Sequence, residues 1–250
     1  MLWAVPVLFF LVHSKPTWKS NFKESLSSKK ELVFLLITAI LITINWGGYI
    51  FAVNLGRVVE ASMGYFLSPV INMIGGYIFF NERISKLKQL AVFFATFGAL
   101  YYVFSGDSFP WLGLLVGFTF SAYGIARKAM ASSAVPGLYI ETLILLPFFL
   151  IFTVWFYSNY DVAFLNVGVS TNILLILAGA VTVIPLALFN AGTKLLPLTT
   201  VGILFLITPT IQFLVGYVLQ NEAVNSNQLI GFVGVWAGLV IYSYALIKDK

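Results

Sequence analysis

Residues 60–82 read EASMGYFLSPVINMIGGYIFFNE, and residues 199–222 read TTVGILFLITPTIQFLVGYVLQNE. At an offset of 140 residues, Pro69 meets Pro209, Gly76-Tyr77 meets Gly216-Tyr217, and Asn81-Glu82 meets Asn221-Glu222. Asn72 falls opposite Gln212, and after a gap of one residue Gln89-Leu90 meets Gln228-Leu229. Matched turn and polar residues at fixed spacing inside apolar runs mark an internal repeat.

The surrounding sequence sets the medium in which that repeat folds. Of 250 residues, 60% are hydrophobic and 9% charged, against about 25% charged in soluble domains. The apolar residues fall into nine segments: A 1–12, B 32–53, C 60–80, D 89–105, E 110–126, F 136–157, G 172–193, H 199–219 and I 228–247. All but A approach the roughly 20 residues that cross a hydrocarbon core. Segment A is short, and its charges follow the apolar run instead of preceding it, which argues against a signal peptide. The expected class is an all-α integral membrane protein. The connections leave no room for a soluble domain. With no cysteine and one histidine, thiolate chemistry and a histidine–cysteine metal site are set aside. The sequence implies no cofactor and no nucleic-acid partner. No phosphate-binding glycine loop is present, so no ATP-driven step is expected.

Lysine and arginine give the orientation. With alternate loops on alternate sides, one side holds Lys15, Lys19, Lys23, Lys29, Lys30, Arg83, Lys86, Lys88, Arg127, Lys128, Lys194, Lys248 and Lys250, and the other holds Arg57 alone. The rich side reads as cytoplasmic, with the C-terminus inside. The net charge of +5 is therefore read as loop charge. Residues 13–31 read as a solvated loop, although the spacing of Lys15, Lys19 and Lys23 would place them on one helix face able to meet anionic headgroups.

Segments C and H lie five spans apart, so they cross in opposite directions. That is an inverted repeat, a ground plan of secondary transporters. D pairs with I, B with G, and A with the second half of F, leaving E without a counterpart. The expected layout is an inverted repeat of five-helix units, 1–106 and 107–250. Nine spans are present, and the first helix with the start of the second is absent from the first unit. A genuine nine-helix form is the other reading.

The chemistry-bearing candidates are few. Pro69 and Pro209 sit mid-span, where proline removes a backbone hydrogen bond and kinks a helix. Asn72 and Gln212 lie three residues further on, and their amides suit either substrate or interhelical hydrogen bonds. Asn45, Trp46 and Tyr49 add an amide and two aromatic faces for a planar ligand, or an interfacial belt. Arg57 and Glu60, at i and i+3 on the charge-poor side, form an ion pair, or Arg57 binds an anionic substrate group. Glu141 lies about 7 Å inside segment F at the helical rise. A carboxylate at that depth marks a functional site, or is a snorkelling or backbone-bonded glutamate near Arg127 and Lys128, and proton coupling is its candidate role. Glu82 and Glu222 read as turn residues that cap the helix following each. Ala61, Gly64, Ser68, Gly75, Gly202 and Gly216 allow close helix packing.

Three stretches, NWGGYIFAVNLGRVVEASMGYFLSPVINMIGGYIFFNERIS (45–85), PGLYIETLILLP (136–147) and PTIQFLVGYVLQNE (209–222), resemble the RarD-type (chloramphenicol-sensitive protein) transporters of the drug/metabolite transporter superfamily, in the EamA group. The resemblance runs over nearly the whole chain. It implies ten helices in two EamA repeats, a bacterial inner-membrane location, and movement of small metabolites or drugs, commonly outward. It also implies that a first helix helps line the central cavity.

The expectation is a secondary transporter and not an enzyme, working by alternating access, with a small-molecule substrate and the lipid bilayer as partners. Asn45, Trp46, Tyr49, Asn72 and Gln212 would contact substrate, with Arg57 and Glu60 near the outer gate and Glu141 near the inner one. A lipid-modifying membrane enzyme would need acids, histidines or serines clustered at one interface, and none is seen. A non-transporting scaffold or sensor is the remaining rival. The cysteine-free chain allows a direct test of topology. Lys23→Cys and Lys248→Cys should react with a membrane-impermeant maleimide in inside-out vesicles, and Asn166→Cys in right-side-out vesicles. Labelling of all three from one side would undo the assignment.

Overall fold

The computed structural model describes residues 2–105 and 109–248. Met1, the expected repeat boundary at 106/107 and Lys250 lie outside the described residues. All nine apolar segments are helical. The elements are α1 (Ala4–Ser14), α2 (Pro16–Ser27), α3 (Lys29–Asn54), α4 (Val58–Tyr65), α5 (Ser68–Phe80), α6 (Lys86–Ser105), α7 (Trp111–Ala129), α8 (Ala134–Asn159), α9 (Val169–Leu195), α10 (Leu198–Phe205), α11 (Ile207–Leu214) and α12 (Ser226–Lys248), with a π-helical turn at Val215–Leu219. Among the described residues there is no strand. Among the described residues, seven helices suffice by length and composition to cross a membrane: α3, α4–α5 together, α6, α8, α9, α10 through the π turn, and most of α12. Segment A forms the 11-residue α1 and segment E the 19-residue α7; neither is among the seven. Long helices that are apolar on every face, with leucine, isoleucine and phenylalanine turned outward, fit lipid as the surrounding solvent.

The chain gathers into two compact units. The first comprises Met1–Ile40 and Ala126–Lys194. Here α1 and α2 pack on α8, and Leu35, Met130 and Ile140 form a buried cluster with Phe22 and Leu32 against it. Residues 13–31, expected as a solvated loop, contain the helix α2. Pro16 starts it, since proline at the first turn loses no hydrogen bond. Trp18, Asn21, Phe22 and Ser25 turn inward at helical spacing, while Lys15, Lys19 and Lys23 face out. The lysine spacing was a true helical signal; the low overall hydrophobicity concealed it.

The second unit comprises Leu41–Ile125 and Leu195–Lys250, and it contains the repeated segments. Each is two helices in line. The first breaks at Phe66-Leu67, just before Pro69, and the second at Leu206, just before Pro209. Proline has no N–H and clashes with the carbonyl four residues back, so the helix cannot run through. The breaks tighten instead into i→i+3 bonds, Phe66 N to Met63 O and Leu206 N to Ile203 O, both at 3.0 Å. α4 packs on α11, α5 on α10, and α6 along α12. Phe213 and Phe232, with ring centroids 3.8 Å apart, lie at the centre beside Phe66. Gly64 lets α4 touch the backbone of α7, for a methyl there would collide with the Gly113 carbonyl.

The ends of the repeated segments lock together reciprocally. Asn81 and Asn221 adopt left-handed conformations, with φ of 52° and 53°, which asparagine tolerates. Each turn lets the next residue's N–H bond back, Glu82 N to Gly76 O and Glu222 N to Gly216 O, both at 3.0 Å. The sequence assigns both glutamates to the helices that follow them; in the structure each serves a helix start far along the chain. Glu82 accepts the Leu198 N–H at 2.8 Å, at the start of α10. Glu222 accepts the Val58 and Val59 N–H groups at 2.8 Å each, at the start of α4. The physical reason is supply and demand. A helix start presents unpaired donors and a positive dipole end, and the adjacent helix pair places a carboxylate there. Charge-assisted bonds of this kind contribute about 1.5–3 kcal/mol. Glu82→Gln and Glu222→Gln should each lower the thermal stability of the detergent-solubilised protein, with additive effects in the double variant because the sites share no partner. Full stability in either single variant would remove the capping role.

Candidate functional site

Two polar centres stand out, one in each unit. In the first unit, Arg127 occupies the last turn of α7 and Glu141 the second turn of α8. Their side chains are 0% and 1% exposed, and Arg127 Nη1 lies 3.3 Å from Glu141 Oε1. Thr38 of α3 donates to the same oxygen at 2.6 Å. Arg127 Nη2 also donates to the Ser133 and Ala134 carbonyls at 3.2 and 3.0 Å, while its Nε has no partner. Gly137 makes the room, since a side chain there would overlap the guanidinium. The sequence places Arg127 among the cytoplasmic loop charges; the structure buries it completely.

The loop that carries this pair is held by further polar groups of the same unit. Glu31 accepts the Ala131 and Ser132 N–H groups at 3.0 and 2.9 Å and the Ser132 hydroxyl at 2.7 Å. Asn21 accepts the Ser133 N–H at 2.8 Å. Lys128 donates to Thr193 O near the end of α9 at 3.1 Å, and Lys194 donates to Met130 O just past the end of α7 at 2.5 Å. Cations at helix C-termini complement the dipole. Sequence reasoning missed Glu31, Thr38 and this lysine exchange. The only trace of them was that the basic residues sit in the last helical turns.

In the second unit, Asn45 is fully engaged. Its amide donates to Val116 O at 2.7 Å and to the Thr119 hydroxyl at 3.3 Å, and Tyr65 donates to its oxygen at 3.1 Å. Tyr65 is ringed by Tyr49, Phe120 and Phe205 at centroid distances of 6.4, 5.6 and 5.4 Å. Trp46 is half-buried on the same helix. Asn72 is 4% exposed. It packs on Gly202 of α10, and its oxygen has no hydrogen-bond partner. Gln212 lies on α11, which packs on α4, and its oxygen is likewise buried without a partner. The two amides thus belong to different helix contacts, one helical turn past the paired breaks at Pro69 and Pro209.

Arg57 and Glu60 form an ion pair, with Nε to Oε2 at 2.7 Å. The other Glu60 oxygen accepts the Leu112 N–H at 3.2 Å and so caps α7. The pair therefore has a structural task in addition to any role at a gate.

The chain is matched over nearly its whole length in known proteins. Residues 1–104 match the EamA-like transporter family. An uncharacterized transporter of Bacillus subtilis, YojE, is 37% identical over 98% of this chain and 80% of its own length. Protein RarD of Escherichia coli is 33% identical over 97% and 81%. The chain belongs to the RarD-type EamA transporters. The Pseudomonas aeruginosa chloramphenicol-sensitive protein RarD is 28% identical over 96% of this chain and 81% of its own. Within this RarD-type chain, the buried Arg127–Glu141 pair gives the sharpest mutational test. Removing one partner of such a pair costs about 3–5 kcal/mol, and replacing both with apolar residues restores much of it. Glu141→Ala should therefore unfold well below the wild type in detergent, and Arg127→Met/Glu141→Leu should recover. A double variant no more stable than the single would mean that charge compensation is not what holds the pair.

Proposed function

We propose that this RarD-type chain is a secondary transporter that exports small metabolites or drugs across the bacterial inner membrane by alternating access of two inverted five-helix repeats, with nine spans in this chain and the C-terminus cytoplasmic. The observation that carries the substrate-binding reading is the pair of buried, unpartnered amide oxygens on Asn72 and Gln212. A buried acceptor without a donor costs about 1–3 kcal/mol, and a ligand N–H or O–H would supply what the protein does not. Interrupted helices at matching positions are also where transporters of inverted design bind their cargo. Trp46 and Tyr49 would stack on a planar part of the substrate. Asn45 would reach it only by releasing one of its three bonds, so its first task is positioning Tyr65. The reciprocal caps support the inverted arrangement, because each segment offers the other the same donor and acceptor in opposite directions.

Proton coupling is assigned in this proposal to Glu141. In the Arg127–Glu141 pair both charges are matched, so taking up a proton requires Arg127 to let go. Alternating access is a change that does so once per cycle. Arg57 and Glu60 would act at the outer gate through the start of α7. The rival reading is a non-transporting scaffold or sensor, and the bonds that hold Arg127 to Glu141, Ser133 and Ala134 favour it as far as that pair is concerned.

The deciding experiment is flux in proteoliposomes, with amino acids, aromatic metabolites and amphenicols, with and without an imposed pH gradient. Gradient-driven flux of at least one compound is expected, lost in Glu141→Gln and reduced in Asn72→Leu and Gln212→Leu. Gradient-driven flux unchanged in Glu141→Gln would end the coupling role. Absence of flux from folded protein would favour the scaffold.

A further inference from the structure

A crevice of about 890 Å³ opens between α5 and α6 in the second unit. Its walls are apolar, with Ile74, Tyr77 and Ile78 on α5 and Phe93 on α6. Tyr77, Ile78 and Phe93 are 68%, 61% and 61% exposed, so the crevice opens sideways, toward the surrounding lipid. Its lining runs along α5 from Val70, just past the helix break, to Ile78, about 12 Å at 1.5 Å per residue. With the turn at Asn81-Glu82 added, that approaches one leaflet of a hydrocarbon core about 30 Å thick. The mouth is polar and lies at the helix ends, formed by Glu82, Arg83 and Gln89. Lys86 follows at the start of α6 and is exposed.

The charges at the mouth are unevenly committed. Glu82 is engaged with the start of α10. Arg83, its neighbour, is exposed and makes no hydrogen bond or ion pair among the described residues. An apolar slot one leaflet deep, closed at headgroup level by an uncommitted guanidinium, matches one kind of molecule. A soluble substrate would leave the walls to lipid, and an uncharged lipid would leave Arg83 unused.

We infer that the α5–α6 crevice binds one anionic phospholipid, its acyl chains along Ile74, Ile78 and Phe93 and its phosphate on Arg83, with Lys86 and Gln89 alongside. Guanidinium and phosphate match in geometry as well as charge. This site is separate from the proposed transport site and stands or falls independently of it.

The test uses the full chain, purified and delipidated in detergent, with native mass spectrometry and thermal unfolding as readouts. Phosphatidylglycerol should give a 1:1 adduct and a saturable rise in Tm, greater than phosphatidylcholine of the same chain lengths gives. Glycerol phosphate, the headgroup without tails, should give none. Arg83→Gln should weaken phosphatidylglycerol binding about tenfold, the loss of one charge-assisted contact, and leave phosphatidylcholine binding unchanged. Ile78→Trp, which fills the slot, should weaken both. Equal effects of the two lipids on the wild type would overturn the proposal. So would an undiminished preference for phosphatidylglycerol in Arg83→Gln, which would move the contact to other lysines. Stabilisation by glycerol phosphate alone would replace the lipid site with a simple anion site.

Discussion

The demand that every helix start find an acceptor governs this structure. In lipid, an unpaired backbone N–H costs several kcal/mol, and no water is at hand to relieve it. Four glutamates meet that demand across the fold. Glu60 serves α7, Glu82 serves α10, Glu222 serves α4, and Glu31 serves the backbone just ahead of α8. In a chain with only nine acidic residues, this is a large share of the acidic side chains spent on backbone. The same logic runs in reverse at the C-terminal ends of α7 and α9, where Lys194 and Lys128 serve each other's helix. Charge in this RarD-type chain is used first to close the backbone and only then for whatever chemistry remains.

That ordering sharpens the contrast between the two centres. Asn45 and Glu141 carry the chemistry of binding residues, yet both are held by protein partners. Asn72 and Gln212 have less conspicuous surroundings and keep buried oxygens unmatched. A polar network that is complete rigidifies, while one left incomplete is costly unless something else completes it. The helix breaks beside Pro69 and Pro209 place those incomplete groups where the regular backbone has already stopped.

Much of the fold could be read from local patterns. Apolar runs mark all nine helical segments, the prolines mark the breaks, and the Asn-Glu pairs mark the left-handed turns. The i, i+3 spacing of Arg57 and Glu60 is enough to pair them. What escaped is non-local. Glu82 meets a helix start 116 residues away and Glu222 one 164 residues away, and no periodicity encodes such a distance. Arg127 escaped because a basic residue at a span end looks the same whether it is solvated or buried. Only the missing side chain at Gly137, together with Glu141, makes a place for it. The helix α2 was hidden by its lysines, which lower its hydrophobicity without disturbing its spacing. Of the site, the candidate residues were visible; which of them were already occupied was not.

The reciprocal caps also impose a schedule on biosynthesis. The α4 helix enters the membrane with Val58 and Val59 at its leading turn, but their acceptor is Glu222, 163–164 residues later. At translation rates of about 5–20 residues per second, that acceptor trails by about 8–30 seconds. During this time the start of α4 must borrow water, lipid headgroups or the insertion machinery. Glu82, in contrast, is waiting when Leu198 arrives. The two halves of a symmetric clasp are thus closed in a fixed order, and the nascent chain carries one open helix end until Glu222 has been made.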